Sequence, residues 1–203
     1  MGAIHQIADK VSKLAYLNLL WIVFTLMGLF FFGLFPATIA MFTVLRKIVL
    51  NEEFKLFRLF WGTYKKEFFK GNLIGLVLVL INGITYTNFV FFREATGAIE
   101  VLLYPMGVMG ILLLLMSLFV FPVYVHFDLQ FLQIFKTSFI FMLLYPLSSL
   151  SVVVNSLIYF IIVYQLPVLV IFFSASIIGL IIMTSTNRAF KKNAEKIEEV
   201  KIA

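Results

Sequence analysis

Charged residues divide the chain into long uncharged runs. Thirty-two residues separate Lys13 from Arg46, 22 separate Lys70 from Arg93, 27 separate Glu100 from Asp128 and 51 separate Lys136 from Arg188. An ionisable side chain at the centre of a bilayer is costly, so a run without one marks a membrane span. A helix rises about 1.5 Å per residue and the hydrocarbon layer is about 30 Å thick, so one span needs about 20 residues. The second and third runs predict one helix each, near 71–92 and 101–125. The fourth predicts two, near 138–163 and 167–186, with a tight turn at Tyr164-Gln165-Leu166-Pro167. Pro167 would open the second of these, where a missing N–H costs nothing.

The first run would be about 48 Å long as one helix, too long for one crossing and short for two. Gly33 and Pro36 interrupt it, and both are strong breakers. Two arrangements fit. One long helix kinked at Pro36 gives five spans. A turn at residues 33–36 between spans 14–34 and 36–50 gives six. Lys and Arg gather on the cytoplasmic side of membrane helices. Six crossings put fifteen of the sixteen on one side, with Arg93 alone on the other. The expectation is therefore an all-α polytopic bundle of six membrane helices, forming a single domain over 1–203. Both termini are expected to be cytoplasmic, with a charged tail at 188–203.

Residues 51–70 carry a different pattern. Phe54, Phe57, Trp61, Tyr64 and Phe68 recur at three- and four-residue steps, and Glu53, Lys55, Arg58, Lys65, Lys66 and Lys70 fill other positions. That is a helical period with an aromatic face and a basic face. It predicts an interfacial amphipathic helix at 52–70, capped by Asn51, with Glu52 and Glu53 at its positive end. Lys55, Arg58, Trp61, Lys65 and Lys66 are the candidate contacts with a membrane surface or a partner. A related string begins 71 residues later: Phe60, Tyr64, Lys65 and Phe68 align with Phe131, Phe135, Lys136 and Phe139. The offset suggests two copies of a short helix followed by a hairpin.

Composition narrows the class. The chain of 203 residues is 63% hydrophobic and 13% charged, where soluble domains run near 45–50% and about 25%. A soluble globule, a disordered chain and a disulfide scaffold are excluded. The net charge of +6 reads as topology and not as affinity for nucleic acid. There is no cysteine, hence no thiolate site and no Cys nucleophile. Lys10 and Lys13 ahead of an apolar run imitate a signal peptide, but the run is too long and further spans follow it. Position 6 is Gln, against the Ser or Thr of a myristoylation signal.

The chemistry on offer is sparse. No acidic or basic residue falls at the middle of an expected span, which argues against a proton- or sodium-coupled pump. His5 and His126 are the two histidines, too few for a metal site even with Asp128 beside His126. No HExxH, GxSxG or P-loop occurs. The expectation is a non-enzymatic protein without a cofactor. Within the spans the polar residues are neutral. Asn82, Asn88, Ser151 and Asn155 are candidates for a polar cavity taking a hydroxylated solute. The plainer reading is that they pack helices together.

Several strings resemble the YesL-like family of bacterial multi-pass membrane proteins. They are Leu17-Asn18-Leu19-Leu20-Trp21, Gly33-Leu34-Phe35-Pro36-Ala37-Thr38-Ile39-Ala40 and Val44-Leu45-Arg46-Lys47. Residues 57–72, with Phe60-Trp61 and Tyr64-Lys65-Lys66-Glu67-Phe68, are similar too. Residues 29–32 depart from the family's usual Pro and Thr before the turn. The resemblance implies a bacterial cell-membrane protein of no established activity, encoded near ABC-type carbohydrate importers. Its expected partners are the bilayer and an ABC sugar permease or another membrane protein. The chain lacks the Glu-Ala-Ala loop of a permease itself. The resulting expectation is an accessory or regulatory component of carbohydrate uptake. The alternative is a small transporter of a neutral hydroxylated solute.

Overall fold

The computed structural model describes residues 3–93, 101–166 and 168–202. Within them the chain forms eight helices and no strand. They are α1 (Ala3–Met27), α2 (Phe31–Val49), α3 (Leu56–Lys66), α4 (Phe68–Arg93), α5 (Leu103–His126), α6 (Phe131–Leu144), α7 (Pro146–Gln165) and α8 (Val168–Ile202). Six of these (α1, α2, α4, α5, α7 and α8) are long and apolar enough to cross a membrane. The polytopic helical bundle expected from the uncharged runs is the architecture found.

Helix α2 is its centre. It packs on α1, α3, α4, α5 and α8. Ala37, Ala40, Val44 and Leu45 are buried in a cluster with Leu17, Phe60, Val152 and Met183. Its Ile39 belongs to a second cluster with Ile74, Phe119, Val123, Ile134 and Phe190. Small residues on one face let neighbouring helices approach closely. Asn18 then ties α1 to α8. Its amide nitrogen donates to the Ile171 carbonyl at 2.8 Å, and its oxygen accepts from the amides of Ala175 and Ser176 at 2.9 and 3.1 Å.

The first turn lies at residues 28–30, earlier than the expected 33–36. Gly28 and Gly33 explain the placement. A Cβ on Gly28 would strike the backbone of Gly33, and one on Gly33 would strike the Thr25 and Phe24 carbonyl oxygens. The end of α1 and the start of α2 meet there because neither residue has a side chain. Pro36 falls inside α2. Proline leaves the carbonyl four residues earlier without its helical partner. That carbonyl belongs to Phe32, and the Asn72 side chain donates to it at 3.0 Å.

This turn contains no polar side chain. Leu29 and Phe31 are 78% and 77% exposed, and Leu29 and Phe30 hold φ of 56° and 64°. Bulky residues rarely adopt that left-handed region. Yet the amides of residues 28 to 32 all bond within the turn, at 2.8 to 3.2 Å. The Tyr64 hydroxyl donates to the Phe24 carbonyl at 3.2 Å. Turns in water favour Gly, Asn, Asp and Ser. An apolar turn that satisfies its own backbone suits hydrocarbon, where no water can do so. Its bond to Asn72 also places it beside the start of α4. The count that set this turn across the membrane from Lys65, Lys66 and Lys70 is thereby corrected: they are neighbours.

Three other boundaries differ. The amphipathic helix is 56–66, not 52–70. Asn51 closes α2 with φ 53° and does not cap α3, whose N-cap is Lys55. Glu52 pairs with Lys47, and residues 68–70 start α4. The expected span 138–163 is two helices, broken at Tyr145 and Pro146. Of these, α6 has 14 residues and is about 21 Å long, too short to cross. The tail is continuous with the last span in α8. The expected role of Pro167 lies outside the described residues. A short helix followed by two long ones occurs twice, as α3–α4–α5 and α6–α7–α8. The buried residues of α6 are Ile134, Ser138, Phe141 and Met142, and the positions that the 71-residue offset matches to buried Phe60 and Tyr64, Phe131 and Phe135, are not among them.

Candidate functional site

Helix α3 is amphipathic in the sense expected, and its aromatic face is a packing face. Phe60 and Tyr64 are buried. The Phe24 ring sits among three α3 rings, with centroids 5.3 Å from Phe60, 5.2 Å from Trp61 and 5.1 Å from Tyr64. Burial raises the Tyr64 hydroxyl pKa above 10.0. The other face is a basic ridge. Lys55, Arg58, Lys65 and Lys66 are exposed, and the Lys65 ammonium stands 4.8 Å from the Trp61 ring centroid. Lys55, Arg58 and Lys66 border a shallow groove of about 490 Å³ floored by Phe54, Leu59 and Gly62. The five candidate contacts thus lie together on α3 and its N-cap.

Beside the ridge, where α3 breaks into α4, a basin of about 380 Å³ opens between α2 and the end of α5. Glu67 is the single residue between the two helices. Its amide donates to the Thr63 carbonyl at 2.8 Å, which turns the chain and aims the side chain inward, to 13% exposure. The Tyr124 hydroxyl donates to this carboxylate. The Lys66 ammonium lies 3.8 Å away. Lys70, Thr43, His126 and Asp128 complete the polar wall. The His126 ring lies 4.7 Å from Phe127 and 4.4 Å from Phe190, and its Nδ1 is buried without a hydrogen-bond partner. Arg46 is within electrostatic reach of it, and the Arg46 Nε is also buried without a partner. No group of three or more His, Asp or Glu that could hold a metal occurs among the described residues.

The neutral polar candidates lie elsewhere and do not share one cavity. Asn82 donates to Ser117 Oγ at 3.0 Å and to the Leu78 carbonyl at 2.8 Å. It lines a groove between α4 and α5. Asn88 is exposed on α4. Ser151 and Asn155 line a groove of about 280 Å³ between α7 and α8 with Thr184, Ser185 and Arg188. Ser151 bonds Ser185 at 3.3 Å, and Asn155 donates to the Ser151 carbonyl at 2.7 Å. Sequence reasoning put Asp128 beside His126 but missed Glu67 and Tyr124. A carboxylate one residue before an apolar run is a weak signal, and its partner is 57 positions away. In the sequence Asn18 stands out only as part of the Leu17–Trp21 string, although a lone amide in an apolar helix is a signal for a helix–helix bond.

Fold and site together define a polytopic helical membrane protein whose polar basin and basic ridge adjoin where α3 meets α4. The chain belongs to the YesL-like family, described as "Protein of unknown function, DUF624", whose model matches residues 14–89. It is 35% identical to uncharacterized protein YteU of Bacillus subtilis (strain 168), over 88% of this chain and 81% of that one. It is 34% identical to uncharacterized protein YesL of the same organism over the whole of both chains. Uncharacterized protein YesV is 32% identical over 94% of this chain and 92% of its own. No solved structure matches the chain.

Proposed function

We propose that this is a non-enzymatic accessory or regulatory protein of the bacterial cell membrane, working beside an ABC-type carbohydrate importer and meeting its partner through the α3 ridge. The observation that carries the reading is the mounting of that ridge. Phe60 and Tyr64 lock α3 into the bundle while Lys55, Arg58 and Lys66 stay exposed around an apolar-floored groove. A fixed basic ridge of this kind suits an acidic surface on a neighbouring protein, because pre-ordered charges lose little entropy on contact. The link to carbohydrate import rests on the family resemblance. The test is co-purification of the full-length chain with the permease from native membranes. Lys55→Glu with Arg58→Glu is expected to abolish it, and retention of the permease by that variant would refute the ridge as the contact.

A second reading, a small transporter of a neutral hydroxylated solute, draws on the groove of Ser151, Asn155, Thr184 and Ser185. Uptake of such a solute into liposomes by the purified protein alone, lost in Asn155→Leu, would favour it.

A further inference from the structure

Helix α7 packs mainly on α8, and its surface divides into three rows. Ser149, Val152 and Tyr159 are buried in the bundle. Leu147, Leu150, Val154, Leu157 and Ile161 are exposed and wholly apolar, as suits contact with lipid. Between those rows runs a third: Ser148, Ser151, Asn155, Ile158, Ile162 and Gln165. Its steps alternate between three and four residues, which is the seam of a coiled coil, with Asn155 at an a position. Ile158 and Ile162 are exposed, and so are Asn155 and Gln165. The seam is therefore laid out for a helix that the single chain does not supply.

Asn155 says what that helix must offer. It is the tenth of the twenty residues of α7, so it stands near the middle of a candidate span. Its side-chain nitrogen bonds back to the Ser151 carbonyl at 2.7 Å and to Ser151 Oγ at 3.2 Å. Its oxygen accepts no hydrogen bond among the described residues. Across the groove on α8, the Thr184 hydroxyl has no hydrogen bond among them either. Hydrocarbon contains no donor, so the missing bond is costly there and has to come from protein. An amide is complementary in charge to itself, with a negative oxygen and a positive NH₂ edge. A second copy related by a twofold axis along the membrane normal brings its own Asn155 to the same depth and sets its α7 parallel to this one. An a-position Asn fixes register and pairing in that parallel arrangement, and membrane helices mostly cross at the left-handed angle that such a seam needs. Any other helix meets these terms only if its own sequence carries a polar group at the matching depth.

We propose that the chain forms a twofold homodimer in the membrane through the α7 seam, with the two Asn155 amides bonded to each other and Ile158 and Ile162 packed beside them. Thr184 borders the contact from α8. Arg188, at the end of the same groove, is exposed, and its long side chain keeps the charge in water. The dimer goes beyond the ridge contact of the proposed function and stands or falls without it.

Energy transfer between full-length chains in liposomes tests the dimer, with donor and acceptor dyes on separate pools labelled at Lys191→Cys. Transfer is expected to rise with the protein-to-lipid ratio. Asn155→Val keeps the side chain's bulk near that of Asn and removes the amide. It should move half-association to a protein-to-lipid ratio about tenfold higher, as for the loss of an interhelical amide bond. Leu157→Ala, on the lipid-facing row, should move it less than about twofold. Disulfide formation in native membranes gives a second reading that needs no change at Asn155. The chain has no cysteine of its own. Ile158→Cys and Ile162→Cys are each expected to link two copies on oxidation, whereas Leu157→Cys and Phe160→Cys, which point away from the seam, are not. Transfer unchanged by Asn155→Val overturns the proposal. So does linking that is equal at all four positions or absent at the two seam positions. Linking of the seam cysteines to another membrane protein in place of a second copy overturns it as well.

Discussion

The α1–α2–α3 unit and the two long hairpins, α4–α5 and α7–α8, are built on different terms. In α2, 56% of the spanning window is buried in the protein, whereas in α4 and α7 the share is 17%. The first unit closes around rings and small residues, with Phe24 among Phe60, Trp61 and Tyr64. The hairpins turn Leu76, Val79 and Ile84 on α4, and Leu157, Ile158 and Ile161 on α7, outward. Between helices in lipid there is no hydrophobic driving force, so those hairpins rely on van der Waals packing and a few polar bonds. The lesson concerns function as much as stability. The basin and the ridge both rest against α2, the most buried of the six candidate spans, and a site on such a support keeps its geometry.

Substitutions can break or sharpen that contrast. Phe60→Ala empties a fully buried position and should destabilise by about 3–5 kcal/mol, read as a shift in reversible unfolding in mixed micelles. Leu157→Ala on the lipid-facing side of α7 should shift the same transition by less than about 1 kcal/mol, because lipid replaces the lost contacts. Equal effects would erase the distinction. Gly33→Val forces a side chain against the Phe24 and Thr25 carbonyls and should cost at least about 1–3 kcal/mol, with loss of the α1–α2 turn. Asn18→Ala removes four hydrogen bonds to α8 and should cost about 1–3 kcal/mol. Asn155→Ala, whose bonds stay within its own helix, should cost about 0.5 kcal/mol or less in the same assay. The smallest effect is alkaline. The Tyr64 pKa is raised on folding, so its protonated form favours the fold below pH 10.0 and that contribution is lost as pH rises through the folded value. Tyr64→Phe should weaken the dependence above pH 10.0.

Much of this was legible in the sequence, for physical reasons that also explain the rest. The cost of charge in lipid is large and local, so gaps between charged residues located the helices well. The turns were harder. Pro36 read as a breaker because the sequence does not show Asn72 accommodating the Phe32 carbonyl that proline frees. Gly28 and Gly33 matter as a pair in contact, and only the fold brings them together. The amphipathic period of α3 was plain, and so were the basic residues of its ridge. Its burial was not, since Phe24 lies 40 positions from Tyr64. The basin was the least visible feature. Glu67 and Tyr124 lie 57 positions apart and meet only in the folded bundle, and no string in the sequence links the two.

The chain lacks cysteine, so single cysteines can report depth directly. The central claim is that ridge and basin share one aqueous face while the adjoining α1–α2 turn stays in lipid. The reporters are Arg58→Cys, Lys66→Cys, Asp128→Cys and Leu29→Cys, each in sealed vesicles of both orientations with a membrane-impermeant maleimide. The prediction is that positions 58, 66 and 128 label from one and the same side, and that position 29 labels from neither until detergent is added. Labelling at 29 from the side opposite 66, or of 58 and 128 from opposite sides, would contradict the account.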